Sequence, residues 1–352
     1  MRILVVTDNI SPASGGPTRS VKGLCRALSE GGNAVTLFVI TGRDAFDDNR
    51  GVTVVYQKMP CVWQFDVVHI NGLWRPGLHQ VAVVCLKTGV PYIVSPRGML
   101  DPWALSVKWL KKKIALLAYQ RSDLRFARAF HATSEAEAQH VKAAGFEQDC
   151  HIVPNGVSFP EEMPDRAVNS DVRTALFLSR LHPGKGLLTL ADAWAKVKPV
   201  GWRMRVVGPD GYGHKKDVVV RLNELGIAGE WDFVDMLNDE EKWRAYRSSD
   251  LLVHPSVSEN FGITIAEGLA AGLPVIATKG TPWAELEERQ CGWWIDIGVE
   301  PLAKALKAAM ALTEVARREM GERGRSLVEE KYTWKAVGAE MKEAYLSLKY
   351  KV

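Results

Sequence analysis

The sequence contains no long apolar run, and its few cysteines follow no recognisable pattern. A membrane-spanning helix needs about 18 or more consecutive apolar residues, and no stretch of this chain approaches that length. The N-terminal apolar run ends at Asp8, which is too short for a signal peptide. The five cysteines are odd in number and widely separated: Cys25, Cys61, Cys85, Cys150 and Cys291. They predict reduced, mostly buried thiols and, with the missing signal peptide, a cytoplasmic protein.

A strong charge of one sign is also missing. The 45 Lys and Arg residues nearly balance the 41 Asp and Glu residues, which leaves a net charge of +4. This excess is too small to indicate a nucleic-acid partner. Hydrophobic residues make up 47% and charged residues 24% of the chain, as in ordinary globular proteins. Because 352 residues exceed the size of a usual single core, we expect two domains.

Short apolar runs alternate with helix-like patterns through both halves of the chain. In the first half we predict buried strands over 3–6, 35–39, 52–55, 67–70, 92–94, 129–132 and 151–153. In the second half we predict strands over 175–178, 203–207, 231–234, 251–254, 275–277 and 292–295. The predicted helices between them include 104–121 and 261–270. This alternation is typical of α/β proteins, in which helices cover both faces of parallel sheets.

The boundary between the two α/β halves lies at Pro154-Asn155-Gly156-Val157 and in the polar, proline-containing segment that continues to Ser170. Asn-Gly pairs and prolines are turn and linker signals. We therefore predict one Rossmann-like, doubly wound domain over 1–157 and a second over 158–332. Because ligands of such sheets bind at the carboxyl ends of the strands, we expect the two domains to face a central cleft.

Two glutamates with seven residues between them, Glu259 and Glu267, flank the start of the predicted helix over 261–270. Glu259 lies in the loop before the helix, and Glu267 lies about two turns inside it, at ~3.6 residues per turn. Asn260-Phe261-Gly262 stands at the helix mouth, where free N–H groups attract anions. Acceptors for hydroxyls beside donors for phosphates suit a sugar nucleotide. The alternative is an amphipathic helix with two solvated glutamates.

Two glycine-containing loops follow predicted strands. The first contains Gly15 and Gly16, which let backbone N–H groups approach a ligand closely. It lacks the third glycine of the dinucleotide-binding fingerprint, and it is not a Walker A loop. The second loop carries Arg180 and Lys185 between a buried strand and a helix. A planar guanidinium and a compact ammonium suit phosphate oxygens, and the alternative is that both are solvated loop cations.

The order and spacing of these motifs, together with Gly272-Leu273-Pro274-Val275-Ile276-Ala277, resemble the retaining glycosyltransferases of family 4, which have the GT-B fold. The resemblance covers nearly the whole chain. It implies transfer of a sugar from a nucleoside diphosphate, with UDP favoured over GDP, to a glycan or a lipid-linked saccharide. Residues 95–105 are similar to bacterial polysaccharide-assembly members of the family. The resemblance further implies that a C-terminal helix within 333–352 crosses back to the first domain.

The resemblance also implies roles for single residues. Arg180 and Lys185 would stabilise the departing diphosphate, and the N–H groups of Asn260-Phe261-Gly262 would hold phosphate and sugar hydroxyls. Glu259 would lie beside the donor sugar as a catalytic residue, and Glu267 would bind the nucleotide ribose. No Asp-x-Asp motif is present to hold a divalent ion, so we expect neither a metal nor a cofactor.

One position departs from the family pattern. Many members carry a histidine where this chain has Arg97, in Ser95-Pro96-Arg97-Gly98. A guanidinium cannot act as a base near neutral pH, so we expect Arg97 to bind the sugar, the phosphate or an anionic acceptor during catalysis. The alternative is a structural arginine paired with Asp101. Asn71 ends another strand and would touch the acceptor, whereas its neighbour His69 is either part of the site or a satisfied buried residue.

A basic, amphipathic segment covers residues 103–128. Its basic residues are Lys108, Lys111, Lys112, Lys113, Arg121, Arg125 and Arg128, and Asp123 is its one acid. Apolar residues are interleaved with them, which is typical of a helix that lies on a membrane surface. A lipid-linked acceptor would favour peripheral contact with the inner face of the membrane. The alternative is a solvated outer face of a domain helix.

Two other functions fit parts of the pattern. A sugar-nucleotide epimerase with the same fold would need an acid/base constellation, and the sequence displays none. A two-domain solute-binding protein is also built from two α/β lobes around a cleft, but it would need export. It would also leave Arg180, Lys185 and the glutamate pair unexplained.

Overall fold

The computed structural model describes residues 1–11, 16–46, 50–165 and 172–349. The chain divides into two compact units. Unit 1 consists of Met1–Ser158 together with Tyr332–Val352, and unit 2 is Phe159–Lys331. Unit 1 therefore takes its residues from both ends of the chain. Gly15 and the other residues of 12–15 lie outside the described residues, and Gly16 is the first residue after them.

Unit 1 is built on a seven-stranded parallel sheet with the strand order β3-β2-β1-β4-β5-β6-β7. The strands are β1 Arg2–Thr7, β2 Ala34–Val39, β3 Thr53–Tyr56, β4 Val67–Asn71, β5 Tyr92–Ser95, β6 Ala129–Ala132 and β7 Cys150–Ile152. The sheet is covered on both faces, so its strands are nearly continuous apolar runs. In β1, residues Ile3 to Val6 are all 0% exposed.

The α-helices of the first part of unit 1 are α1 Gly16–Glu30, α2 Pro76–Thr88, α3 Pro102–Ser106, α4 Trp109–Ala115, α5 Arg121–Arg125 and α6 Glu135–Ala143. The predicted helix over 104–121 was wrong, because the segment forms α3, α4, a π-helical turn over Leu116–Gln120 and then α5. The break lies at Val107, which is extended, and Lys108, which is left-handed with φ 54°. Neither conformation continues an α-helix.

Unit 2 is built on a six-stranded parallel sheet with the strand order β10-β9-β8-β11-β12-β13. The strands are β8 Arg173–Leu178, β9 Trp202–Val207, β10 Trp231–Val234, β11 Leu251–His254, β12 Val275–Thr278 and β13 Gly292–Ile295. The helices are α7 Leu187–Val197, α8 His214–Glu224, α9 Asp239–Arg247, α10 Ile263–Ala270, α11 Glu285–Glu288, α12 Val299–Ala311 and α13 Glu314–Lys331. The predicted fold of two Rossmann-like parallel sheets is confirmed.

The last helix, α14 Trp334–Lys349, packs in unit 1 against α1. Met341, Tyr345 and Leu348 are buried in the core of unit 1. Gly23 of α1 makes room for the Trp334 ring, because a Cβ atom at position 23 would lie 2.1 Å from it. No helix among the described residues combines the length and the apolar character that crossing a membrane requires.

Candidate functional site

The loops after β8 and β11 meet because these two strands are neighbours in the sheet of unit 2. The loop after β8 contains a 3₁₀ turn over Pro183–Lys185, followed by Gly186 with φ 75°. A Cβ atom at Gly186 would lie 2.1 Å from the carbonyl oxygen of Pro255, so only glycine permits this approach. The Val257 N–H donates to the Gly184 carbonyl at 2.9 Å and ties the two loops together.

Where the two loops meet, three charged or polar side chains lie in contact, and the sequence analysis had not predicted this cluster. Lys185 Nζ forms an ion pair with Glu259 Oε1, and His254 Nε2 lies 2.8 Å from the same oxygen. The side chains of Lys185 and Glu259 are each 16% exposed. Burial would raise the pKa of Glu259, but the hydrogen bond from His254 and the charge of Lys185 outweigh it and lower the pKa to about 2. The carboxylate is therefore ionised.

The other oxygen of this carboxylate, Glu259 Oε2, receives no hydrogen bond from the described part of the chain. Oε1 is held by two donors, so the orientation of the group is restricted while Oε2 can still accept. His254 was missed in the sequence analysis. Its signal is a polar residue at the end of a buried strand, where an imidazole needs a partner.

Arg180 lies in the same loop as Lys185 but is exposed, and it makes no ion pair within the described residues. Its charge still acts on His182, whose side chain accepts a hydrogen bond from the Gly184 N–H. Burial lowers the pKa of His182, and the positive charges of Lys185 and Arg180 lower it further. The loop after β8 is thus a positively charged region with one cation, Arg180, open to solvent.

The helix α10 begins later than predicted. Phe261 and Gly262 precede it, and Gly262 has φ 81°, a left-handed conformation that favours glycine. The Phe261 side chain is only 5% exposed and packs on Trp283, whose Nε1 donates to the Phe261 carbonyl at 2.5 Å. Phe261 is therefore a core residue that anchors the loop, and any ligand contact at this position falls to its backbone. Asn260 is partly buried beside Glu259 in the same loop.

Glu267 lies inside α10 in a second polar cluster. Lys242 Nζ donates to its Oε1 at 2.7 Å, and the Tyr246 hydroxyl donates to its Oε2 at 2.9 Å. The side chains of Glu267 and Lys242 are 7% and 8% exposed. Both oxygens of Glu267 therefore have a protein partner, and a ribose hydroxyl would share a carboxylate that is already bound.

Unit 1 has a pocket of about 200 Å³ at the carboxyl ends of β1 and β4. The strand order of the sheet reverses direction between these two strands, which is where doubly wound sheets bind ligands. The lining residues are Thr7, Asp8, Asn9, Thr18, Val21, Asn71, Gly72, Leu73, Arg75, Leu78, Arg97 and Met99. The structure thus brings together Asn71 and Arg97, two of the predicted site residues, whereas Gly16 lies at the start of α1 outside this lining.

Arg97 is held by two asparagines. Its Nε and Nη2 donate to Asn71 Oδ1 at 3.1 and 2.8 Å, and its Nη1 donates to Asn155 Oδ1 at 3.0 Å. The alternative pairing with Asp101 was wrong, because the Asp101 carboxylate caps α3 by accepting the N–H of Trp103 at 2.8 Å. Burial lowers the pKa of the Arg97 guanidinium, and negative charge on Glu137 opposes this shift.

A chain of buried hydrogen bonds lies beside Arg97. The Val153 carbonyl can only accept, so His131 Nε2 donates to it at 2.8 Å and His131 Nδ1 accepts from Ser95 Oγ at 2.6 Å. Ser95 Oγ in turn accepts from His69 Nε2 at 2.6 Å, and His69 Nδ1 accepts from the Tyr345 hydroxyl at 2.6 Å. We call these four side chains the neutral relay. His69 is thus a satisfied buried residue.

The neutral relay keeps both imidazoles uncharged. Burial, followed by the charges of His131 and Arg97, lowers the pKa of His69 well below its ordinary value. Burial and the charge of Arg97 lower the pKa of His131 to about 3. Sequence reasoning singled out only His69 of this group. The signal for His131 and Ser95 is that each interrupts an apolar strand, where a buried polar group needs a partner.

The basic segment presents an apolar surface to solvent. Seven large apolar side chains between 103 and 126 are more than 40% exposed: Trp103, Val107, Trp109, Leu110, Ile114, Leu117 and Phe126. Lys108, Lys111 and Lys113 are exposed among them, whereas Lys112 donates to the Ala104 carbonyl. Asp123, the one acid of the segment, is buried and pairs with His79 at 2.7 Å. This surface is therefore both apolar and positively charged.

No group of three or more His, Cys, Asp or Glu side chains is arranged to hold a metal ion in residues 1–11, 16–46, 50–165 and 172–349. The side chains around Glu259 are a lysine and a histidine, and those around Glu267 are a lysine and a tyrosine. Their arrangement suits ion pairing and hydrogen bonding of a polar ligand.

Two protein families match this chain in succession. The family "Glycosyl transferase 4-like domain" matches residues 61–156, and "Glycosyl transferases group 1" matches residues 158–327. The first match lies in unit 1, and the second covers nearly all of unit 2. The second match includes Arg180, Lys185, Glu259 and Glu267.

Individual proteins resemble the chain more distantly. It is 33% identical over 140 residues to D-inositol 3-phosphate glycosyltransferase of Mycolicibacterium smegmatis, which covers 36% of this chain and 32% of that protein. It is 24% identical to the GDP-mannose-dependent alpha-mannosyltransferase of Corynebacterium glutamicum over 98% of this chain and 88% of that protein. The chain thus spans about a third of the first relative and most of the second.

Solved structures share the fold. HepE of Anabaena, crystallised with UDP and glucose, superimposes with a TM-score of 0.77 at 19% identity, over 99% of this chain and 100% of that one. At this identity the likeness concerns the architecture of the two sheets. It agrees with the strand orders described above.

Proposed function

Because this chain belongs to the GT-B glycosyltransferases of family 4, we propose that it transfers a sugar from a nucleoside diphosphate to a glycan or lipid-linked saccharide, with retention of configuration, in polysaccharide biosynthesis. One observation carries the proposal. An ionised glutamate, Glu259, contacts Lys185 at the meeting of two loops in unit 2, and exposed Arg180 lies in one of these loops. Carboxylate, ammonium and guanidinium together can bind the hydroxyls and the diphosphate of a sugar nucleotide.

The diphosphate is the leaving group, and negative charge grows on it as the glycosidic bond breaks. Arg180 and Lys185 are the cations that would stabilise this charge, together with the first N–H groups of α10. These donors can act without a metal ion. UDP is the favoured carrier and GDP the second, and the relatives include proteins named or crystallised with each nucleotide.

Glu259 would accept hydrogen bonds from hydroxyls of the donor sugar through Oε2. A covalent mechanism would need a second carboxyl about 5–5.5 Å from a nucleophilic glutamate. The partners of Glu259 are instead Lys185 and His254. This environment favours attack of the acceptor on the same face as the departing diphosphate, with the leaving phosphate taking the proton of the acceptor.

Unit 1 would bind the acceptor. Its pocket at β1 and β4 contains Asn71 and Arg97, and its exposed apolar and basic surface over 103–126 suits the interface of an anionic membrane. The apolar side chains would enter the headgroup region, and Lys111 and Lys113 would contact anionic lipids. Peripheral binding at the cytoplasmic face would place the enzyme near a lipid-linked acceptor.

A nucleotide screen tests the proposed function. UDP should raise the melting temperature of the protein more than GDP does, and ADP should have the smallest effect. Release of nucleotide from the matching labelled sugar donor should then continue in EDTA. If none of the nucleotides stabilises the protein, unit 2 is not a nucleotide-sugar site. Complete loss of turnover in EDTA, restored by Mg²⁺ or Mn²⁺, would instead contradict the metal-independent mechanism.

A further inference from the structure

The pocket of unit 1 contains an arginine whose direct partners are all neutral. The three hydrogen bonds of the Arg97 guanidinium end on the amide oxygens of Asn71 and Asn155. Among the described residues no carboxylate forms a salt bridge with it. A guanidinium has five N–H donors, so two of them are left for a ligand.

The acid whose charge acts most strongly on Arg97, Glu137, forms no salt bridge with it. Glu137 is 2% exposed, and its oxygens accept hydrogen bonds from the Gly98 N–H at 2.7 Å and from the Thr133 N–H at 2.7 Å. Its negative charge reaches Arg97 only through space. The half-buried guanidinium therefore has no contacting counterion among the described residues, and a bound anion would supply one.

The rest of the lining keeps this charge uncompensated. Asp8 is the one acid among the described residues that line the pocket, and it already pairs with Arg75 at 3.0 Å. Two arginines and one aspartate leave the lining with a net charge of +1. Val21, Leu73, Leu78 and Met99 supply apolar contacts on the same pocket. The pocket thus offers an apolar wall and one unbalanced positive charge.

The guanidinium is also held rigidly. Asn71 Nδ2 donates to the Val6 carbonyl at 3.4 Å and to the His69 carbonyl at 3.3 Å, which turns Asn71 Oδ1 toward Arg97. Arg97 itself has φ 55°, a left-handed conformation that is uncommon for a residue with a side chain. Unfavourable backbone conformations of this kind persist where the surrounding structure enforces them, often at binding sites.

From these observations we infer that the pocket of unit 1 binds an acceptor sugar that carries a carboxylate or a phosphate, with the anion on Arg97 and an apolar face of the sugar on Leu73 and Met99. This inference rests on the proposed transferase activity in one respect, because that activity is the reason for calling the bound molecule the acceptor. A guanidinium stays charged near neutral pH, so it can recognise a fixed negative charge.

Three probes with the same ring test this inference: glucose, glucuronic acid and glucose 6-phosphate. The full chain is labelled with ¹³C at the methionine methyl groups, and the Met99 signal, assigned with Met99→Leu, is followed during titration. Both anionic probes should shift this signal with at least tenfold higher affinity than glucose. The anionic probe that binds more tightly shows whether the pocket prefers a carboxylate or a phosphate. Raising the salt concentration should weaken both anions and leave glucose unchanged.

Arg97→Gln should remove the preference for the anions, and Arg97→Lys should keep part of it because the charge remains. Arg2→Gln is the matched control, since Arg2 is an exposed arginine of unit 1 at the opposite end of β1, paired with Asp66. Equal binding of all three probes, or no shift of Met99 by any of them, overturns the inference. The wild-type comparison of charged and neutral probes does not depend on how well the variants fold.

Titration with UDP separates this inference from the proposed function. If UDP fails to bind the wild-type protein while the anionic probes still shift Met99, the nucleotide-sugar proposal fails and the anion pocket stands. If Arg97→Gln instead weakens UDP binding and leaves the probes unaffected, the guanidinium serves the donor and the acceptor inference is wrong.

Discussion

Polar side chains are held in opposite ways in the two units. In unit 2, carboxylates contact cations directly, as Glu259 does with Lys185 and Glu267 does with Lys242. In unit 1, Arg97 is bound by amide oxygens, and the neutral relay connects uncharged groups. These two carboxylates of unit 2 are therefore each paired with a cation, whereas Arg97 in the pocket of unit 1 has no contacting counterion among the described residues.

The two arrangements respond differently to a ligand and to acid. An ion pair can exchange partners with a charged ligand, so the groups that stabilise the free protein also bind the donor. Removing one partner, however, leaves the other charge buried at a cost of about 3–5 kcal/mol. The neutral relay admits only one arrangement of protons, because it ends on a carbonyl that cannot donate. A proton added to it places a charge at a buried imidazole and turns a hydroxyl away from its present acceptor.

The largest effect is expected at the cations of unit 2. Arg180→Ala and Lys185→Ala should each lower turnover by about 100-fold or more, by analogy with the loss of one preorganised donor at a developing charge. Initial rates with the labelled sugar donor measure this. Lys196→Ala is the control, because Lys196 is an exposed lysine of α7 that pairs with Glu300. Near-normal rates in both site variants, with an intact circular dichroism spectrum, would mean that these cations do not stabilise the leaving group.

The surface of unit 1 should produce the next largest effect. Replacing Lys108, Lys111 and Lys113 with glutamine removes three exposed charges that together contribute about 3 kcal/mol of attraction to an anionic bilayer, or roughly 100-fold in partitioning at low salt. Sedimentation with phosphatidylglycerol-containing liposomes measures it, and salt should mimic the substitution because surface charges are screened beyond about 8 Å.

The matched control for this surface is the triple substitution of Lys216, Lys304 and Lys307 with glutamine, which changes the net charge equally on exposed positions of unit 2. It should leave liposome binding unchanged. The segment over 103–126 is a solvated domain face if the wild-type protein does not bind anionic liposomes at low salt. The same conclusion follows if both triple variants lose binding equally.

Substituting either glutamate of unit 2 should lower the affinity for the ligand that its side chain contacts by about tenfold, the size of one hydrogen bond to a charged group. The two substitutions should differ in which ligand they weaken. Glu267→Gln should weaken both UDP and UDP-glucose, because its proposed contact is the ribose. Glu259→Gln should weaken UDP-glucose and spare UDP. Calorimetry with both ligands tests the division, and glutamine keeps the volume around Lys242. Equal losses for both ligands in both variants would refute these separate roles.

The last expected effect is a difference in acid sensitivity. The folded-state pKa values of His69 and His131 lie below 6.5, so the unfolded chain takes up protons first as the pH falls. Their stabilisation is complete above about pH 6.5 and declines below it, by about 1.4 kcal/mol per pH unit for each histidine. In a unit of this size that corresponds to roughly 3–6 °C in melting temperature per pH unit.

Glu259 affects the stability of the protein at lower pH than the two histidines do. Its pKa is lowered to about 2, so its stabilisation is complete above about pH 4.5 and is lost as the pH falls toward 2. His131→Asn should therefore flatten the change of melting temperature between pH 6.5 and 5, whereas Glu259→Gln should leave that interval unchanged. Thermal melts across this range measure both slopes. An unchanged slope in the His131 variant would mean that the relay does accept a proton in the folded state.

Predictions from local pattern succeeded for the strands and failed where a segment had no uniform period. The strands β6, β10, β11 and β13 were predicted with their observed bounds, because an apolar run is a local property of the sequence. The helix over 104–121 was wrong because its composition satisfies a helical pattern while Val107 and Lys108 adopt other conformations. The roles assigned to Arg180, Lys185, Glu259 and Glu267 stay predictions.

Local chemistry was thus sufficient for the fold class and the strands, since each depends on neighbours within a few positions. Contacts between residues that are far apart in the sequence could not be predicted in this way. Lys185 and Glu259 are 74 residues apart, and His69 and Tyr345 are 276 apart. They meet because β8 lies beside β11, and because α14 packs in unit 1. Strand order and helix packing follow from the burial of the whole apolar surface, which no short segment specifies.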